Sequence, residues 1–312
     1  MLARRNARWG GFVAAIAVVA VCLFYLGTRF DWREPLRVVR DADLLALAGA
    51  TFAVHFAYIC VRTLRWQLVV RDRHPAATFG TLYWITAIVV SLAILTPGQI
   101  GETAKVELLK RRGLGGRLAG LGSFALERVL DILTIAGFGL IGLAFGTGLS
   151  DRYPQLPAVA AVLFVAGLVV LYALGHSRTG SSTDGWLAVL RSGTGTSAIK
   201  VRMLALTITS WCLIGLGWQI SLRMVGIDVS LPAVCWLVSL ITLSTLVSLM
   251  PGGIGLADVV TIQALLAMGA SPTAAQAGAL ILRVYALIGI AFGLCHLLAW
   301  PLVPRALRGQ ES

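Results

Sequence analysis

The sequence predicts an all-α integral membrane protein, a polytopic helical bundle of six full spans plus two re-entrant hairpins in inverted-topology repeats. Three observations predict it. The 312 residues are 58% hydrophobic and only 13% charged, with mean hydropathy +0.85, whereas a soluble domain carries about a quarter charged residues. So much apolar side chain has no place on a wet surface, so hydrocarbon is the outer solvent. Apolar segments recur at about 10–28, 44–61, 79–96, 118–147, 157–175, 203–222, 233–250, 254–268 and 274–300. One short motif, PGxIG, occurs twice.

The first segment, from Gly10, follows Arg4, Arg5 and Arg8. It is long for a signal-peptide core and no small-x-small cleavage site follows, so it reads as a retained span. The 312 residues read as a single membrane domain, with repeat one at about 44–147 and repeat two at about 203–300. Between them the Gly-, Ser- and Thr-rich stretch 176–202 is the longest polar connection and the natural linker.

The repeats show in the motif. LTPGQIGETAK carries Pro97, Gly98 and Gly101; LMPGGIGLADV carries Pro251, Gly252, Gly253 and Gly255, at an offset of 154 residues. Each copy ends an apolar segment, opens a shorter one and precedes a long span with an arginine, Arg128 and Arg283, 155 apart. Proline removes a backbone donor and glycine allows turns closed to other residues, so both copies are hairpin tips. Broken backbone at membrane depth is tolerated only where it is buried in protein or lines a wet cavity.

Charge sets the orientation. With each motif at a hairpin tip, 18 Arg and Lys fall on the N-terminal face and 6 on the other, while Arg128 and Arg283 stay inside. If 79–96 and 233–250 instead cross fully, the count is 11 against 13. The positive-inside rule selects the hairpins. Both termini are then cytoplasmic, hairpin one enters from the cytoplasm and hairpin two from outside, an inverted arrangement recurrent in transporters.

Glu127, Arg128 and Asp131 in SFALERVLDILTI are the sharpest constellation. Arg128 lies roughly 15 Å into its span, near the bilayer midplane. Spacings of three and four put the group on one helical face. Unpaired, such a charge costs about 2.5–3.5 kcal/mol or more, so these groups face the bundle interior, as a substrate pathway or as an ion-pair knot. Arg283 has no acid three or four residues away; Asp258 or Asp131 is its expected partner. An arginine lacking a local partner suits a phosphate, which it holds bidentately. Glu102 and Lys105 follow the first tip as gate or ligand contacts, or as part of an interfacial helix in which Lys105 snorkels with Lys110, Arg111 and Arg112.

Other chemistries find little footing. The +12 charge sits in loops without interleaved aromatics, so no nucleic-acid partner is expected. Cys22, Cys60, Cys212, Cys235 and Cys295 lie in apolar segments without CxxC spacing and read as small hydrophobes. Four histidines without paired spacing imply no metal; His55, Gln219 and His296 suit hydrogen bonds between helices. No GxxxxGK[ST], GxSxG or HExxH occurs, so neither a cofactor nor covalent catalysis is expected.

TPGQIGETAK, ERVLDIL and MPGGIGLAD, spread from about residue 10 to 300, resemble the lysylphosphatidylglycerol synthase transmembrane (flippase-like) family. Members of it include the flippase region of the multiple peptide resistance factor, which exposes aminoacylated phosphatidylglycerol on the outer leaflet. By that resemblance Pro97, Gly98, Gly101, Glu102, Glu127, Arg128, Asp131, Pro251, Gly252, Gly253 and Gly255 fall on the family pattern. Lys105 stands where arginine is usual and Asp258 where glutamate is usual, so the headgroup preference stays open. The soluble aminoacyl-transferase domain of bifunctional members has no counterpart here. The expectation is a lipid flippase or transporter of the inner membrane whose partners are membrane lipids and a lipid-modifying synthase. The alternative is a membrane-embedded enzyme or accessory subunit of lipid-linked sugar, hopanoid or aminoacyl-lipid biosynthesis, with Glu127 and Asp131 as its acids.

Overall fold

The computed structural model describes residues 21, 24–28, 31–70, 77–111, 117–145, 154–176, 197–248 and 250–300. Among these, every regular element is helical: α1 (Arg33–Asp41), α2 (Leu44–Val70), α3 (Phe79–Ile94), α4 (Ala104–Arg111), α5 (Arg117–Ala144), α6 (Gln155–His176), α7 (Ser197–Arg223), α8 (Leu231–Val247), α9 (Leu256–Ala267) and α10 (Pro272–Ala299). Short 3-10 turns, Pro97–Thr103 and Pro251–Gly253, stand between α3 and α4 and between α8 and α9. Most of the expected first span and of the 176–202 linker lies outside the described residues.

Leu44–Val70, Val201–Arg223 and Pro272–Ala299 are each long and apolar enough to cross a membrane. The shorter apolar helices Phe79–Ile94 and Leu231–Val247 stop at the two Pro-Gly motifs. The starts of α3, α8 and α10 are written locally. Thr78, Ser230 and Ser271 accept from the backbone N–H of Thr81, Ala233 and Ala274, three residues on, satisfying donors the helix leaves open.

The same order of elements occurs twice: a long helix, an apolar helix, a Pro-Gly break, a short helix, a long helix. The halves are intertwined. The leading helices α2 and α7 pack on each other, α3 packs on α10 of the other half, and α8 packs on α5. The two 3-10 breaks touch at the middle. At the first, the chain folds back so closely that a Cβ at Gly101 would stand 2.5 Å from the carbonyl oxygen of Leu92. At the second, Gly252, Gly253 and Gly255 have φ of 60°, 65° and 86°, the left-handed region that glycine enters freely. A Cβ at Gly252 would face the Ile94 carbonyl across the gap, at 3.5 Å.

One boundary read from the sequence needs correction. The apolar stretch read from the sequence ends at 61, which leaves Arg62 and Arg65 in the connection before 79 and among the 18 basic residues of the N-terminal face; α2 instead runs on to Val70 and buries both. Three acids on other elements supply the partners that make this burial tolerable. Lys105 is also buried rather than snorkelling. Removing these three from the 18 basic residues leaves 15 against 6, so the charge bias keeps its sign. The stretch 29–40, read as a loop, contains α1, which buries Pro35 and Val39 and packs on α10.

Candidate functional site

Seven ionisable side chains converge where α2, α4, α5 and the first break meet. Arg62 Nη2 lies 2.6 Å from Glu102 Oε1 and 3.7 Å from Glu127 Oε2. Arg65, 0% exposed, donates from Nη1 to Asp131 Oδ1 at 2.6 Å and from Nη2 to Glu127 Oε2 at 3.0 Å. Lys105 Nζ donates to the same Glu127 oxygen at 2.8 Å. Arg128 Nη2 stands 2.6 Å from Glu102 Oε2 and 2.8 Å from Asp131 Oδ2. Neutral donors and acceptors fill in. Arg65 Nη1 also reaches Thr207 Oγ1 at 3.1 Å, Trp211 Nε1 donates to Asp131 at 3.2 Å, and Arg62 donates to the Tyr58 hydroxyl at 2.8 Å.

Four cations face three carboxylates, so the cluster carries one net positive charge. In a medium of low dielectric each ion costs several kcal/mol to bury, and mutual pairing is what offsets it. The aromatic rings help: Lys105 lies 5.2 Å and Arg128 5.3 Å from the centroid of Phe124, a distance at which the ring quadrupole attracts a cation.

The second half is simpler. Arg283 Nε donates to Asp258 Oδ1 at 2.5 Å, Nη1 to the Gly252 carbonyl at 2.6 Å and Nη2 to the Gly253 carbonyl at 3.3 Å. Asp258, not Asp131, is therefore its partner. The other Asp258 oxygen accepts from the Gly255 N–H at 2.9 Å, tying the start of α9 to the same knot. Arg283 holds the second break in shape, and Arg128 reaches the first, donating to Gln99 Oε1 at 3.4 Å.

Between the two breaks lies a cavity of about 200 Å³. Glu102, Arg128, Gly252, Asp258 and Arg283 line it, together with Arg62 and Gln99. Lys105, Glu127 and Asp131 stand behind this wall as its counter-ions. Aromatic side chains line it too: Tyr58, Trp211, Trp218 and Tyr285. Of the cluster's cations Arg128 has the most open side chain, 22% exposed, and its Nε donates to no group among the described residues.

The lysylphosphatidylglycerol synthase TM region, as a family model, matches residues 12–293. The chain belongs to that family. Among curated proteins it is similar to the glycosyltransferase AglD of Haloferax volcanii, 29% identical over 142 residues, which are 45% of this chain and 23% of that protein. The chain thus spans less than a quarter of that relative's length.

In this lysylphosphatidylglycerol synthase TM-region protein the site residues read from the sequence fall into one connected region. Glu102, Lys105, Glu127, Arg128 and Asp131 are brought together, and Asp258 and Arg283 face them across the cavity. Sequence reasoning missed Arg62, Arg65, Gln99 and the aromatic wall. A signal for the arginines was present: three acids near the first break and only Arg128 read as an inside cation left negative charge unanswered. Of the polar residues assigned to interhelical bonds, His296 accepts from the Tyr83 hydroxyl at 3.0 Å, between helices. Gln219 donates to the Val229 carbonyl and His55 bonds within its own helix to Thr51.

Proposed function

We propose that the protein is a lipid flippase or transporter of the cytoplasmic membrane. It carries an anionic or zwitterionic headgroup, aminoacylated or lipid-linked, through the cavity between the two breaks while the tails stay in the bilayer. The observation that carries this reading is the cavity itself: two helix breaks from different halves meet over it, and Arg62, Arg128 and Arg283 line it. Irregular backbone and charge at membrane depth are characteristic of transport pathways.

On this reading the breaks are tips of re-entrant hairpins entering from opposite faces, both termini are cytoplasmic, and the repeats about 44–147 and 203–300 rock against each other. Arg128 meets the phosphate: its side chain is part-open, at 22% exposed, and its buried Nε has no hydrogen-bond partner among the described residues. Arg283, whose donors are taken by Asp258 and two carbonyls, acts as the gate strut of hairpin two. No covalent step is involved; a lipid-modifying synthase is the partner that supplies the lipid.

The test is transfer of a headgroup-labelled anionic phospholipid in liposomes holding the purified chain. Arg128→Ala removes a charge-assisted contact worth about 1.5–3 kcal/mol, so transfer is expected to fall roughly 10- to 100-fold. Arg223→Ala, at an exposed pair with Asp228, leaves it unchanged. An Arg128→Ala rate equal to the parent's removes the mechanism.

The name of the similar glycosyltransferase favours a second reading, an enzyme or accessory subunit acting on a lipid-linked sugar. Against it stands the state of the acids: Glu102, Glu127 and Asp131 are each within 3 Å of at least one cation, and no neighbouring nucleophile–base pair accompanies them among the described residues. Incubation with total lipid extract separates the two, a covalent mass change supporting the enzyme.

A further inference from the structure

A second, larger hollow is lined by no charged side chain among the described residues. About 550 Å³ in volume, it runs between α5, α6 and α7, with Leu130, Leu133, Gly137 and Phe138 on one wall and Phe164 and Ile208 on the others. Among the described residues its single polar lining residue is Thr134, whose hydroxyl is already donated to the Leu130 carbonyl at 2.9 Å. The rim residues Ile141, Leu168, Val201 and Leu204 are 42%, 47%, 67% and 42% exposed, so the hollow opens on the outer, lipid-facing surface of the bundle.

We infer that this groove seats one hydrocarbon tail, acyl or isoprenoid, of a membrane lipid. Three physical facts select the occupant. Water is excluded, because a resident water needs two to four polar partners and the wall offers none that is free. Vacancy is unfavourable, because lining atoms facing a void lose their dispersion contacts outright. The mouth is continuous with the bilayer hydrocarbon, the one apolar solvent present. Size agrees: taking a methylene at about the ~30 Å³ share of a liquid water, the groove holds a chain on the order of 18 carbons.

The groove is placed to matter. Leu126 and Leu130 line it on α5, while their neighbours Glu127 and Asp131 belong to the charge cluster. Met203 lines it on α7, one turn before Thr207, which accepts from Arg65. A single layer of side chains therefore separates a seated tail from the ion-pair cluster. The seat itself does not depend on the transport reading, and the two fail separately.

The experiment uses the full chain in nanodiscs containing a phospholipid with a diazirine in mid-chain, with labelled residues mapped by mass spectrometry. Labelling at residues 133–141 and 201–208 is expected to exceed that at Leu287 and Leu298, apolar and exposed on α10, by about fivefold, since a seated chain keeps more contacts than a passing one. Gly137→Trp and Ile208→Trp fill the groove from opposite walls and are each expected to abolish that excess, while Leu287→Trp preserves it. If one filling variant does not fold, the other decides. Uniform labelling, or an excess that survives filling, overturns the inference, and so does protein–protein cross-linking at the groove.

Discussion

Gln99 occupies the left-handed region at φ 58°, where a residue with a Cβ is strained. The 154-residue offset pairs it with Gly253, at φ 65°. The first half keeps a side chain at this position, and that side chain touches Arg128. Gln99→Gly is therefore expected to melt no lower than the parent while transporting more slowly. The reciprocal change, Gly253→Ala, adds a Cβ 3.0 Å from Thr245 Oγ1 and 3.1 Å from the Ala257 Cβ in a backbone closed to it. It is expected to destabilise by about 1–3 kcal/mol, read as a lower melting temperature in detergent.

Arg65 gives the other residue-scale prediction. Removing one partner of a buried pair costs about 3–5 kcal/mol, and Arg65→Ala takes one cation from Glu127 and one from Asp131. It should lower the melting temperature far more than Arg37→Ala at an exposed pair with Asp41; equal melting would show the cluster to be energetically idle. The acids, Arg128 and Arg283 were legible because each interrupts an apolar run. Arg62 and Arg65 were not, because they follow such a run directly, where a snorkelling loop arginine produces the same pattern. Only the imbalance of charge inside distinguishes the two, and the acids that answer these arginines lie tens of positions away in the chain.

At the scale of elements, the breaks were legible because proline and glycine act locally: the helices stop at Ile94 and Val247, three and four positions before Pro97 and Pro251. The intertwining was not, since the packing of α3 on α10 and of α8 on α5 joins faces of uniform apolarity that carry no address. The nine-residue α1 escaped notice because a short polar helix leaves no hydropathy signal. Contact between the breaks makes its own prediction. In a cysteine-free background, Ile94→Cys with Gly252→Cys bridged by a short bifunctional thiol reagent should slow transfer by roughly tenfold or more, because rocking of the repeats parts the tips. Reduction of the link should restore it, and full transfer through bridged protein would mean that the breaks never separate.

The whole molecule buries charge among apolar helices and confines it between two halves of like order. Pairing accounts for its survival there: each of the three acids in the cluster binds at least two cations, and the open side of the cluster is the cavity. Composition made the membrane class legible and the doubled motif the recurring order of elements, while the proposed opposed entry of the two breaks rests on the charge bias. It is tested most directly by placing single cysteines at Lys110, at the end of α4, and at Ala270, between α9 and α10, and labelling them with an impermeant maleimide in right-side-out and inverted vesicles. Position 110 should label only from the cytoplasmic side and position 270 only from the other. Labelling of both from one side would contradict the inverted arrangement and the transport mechanism built on it.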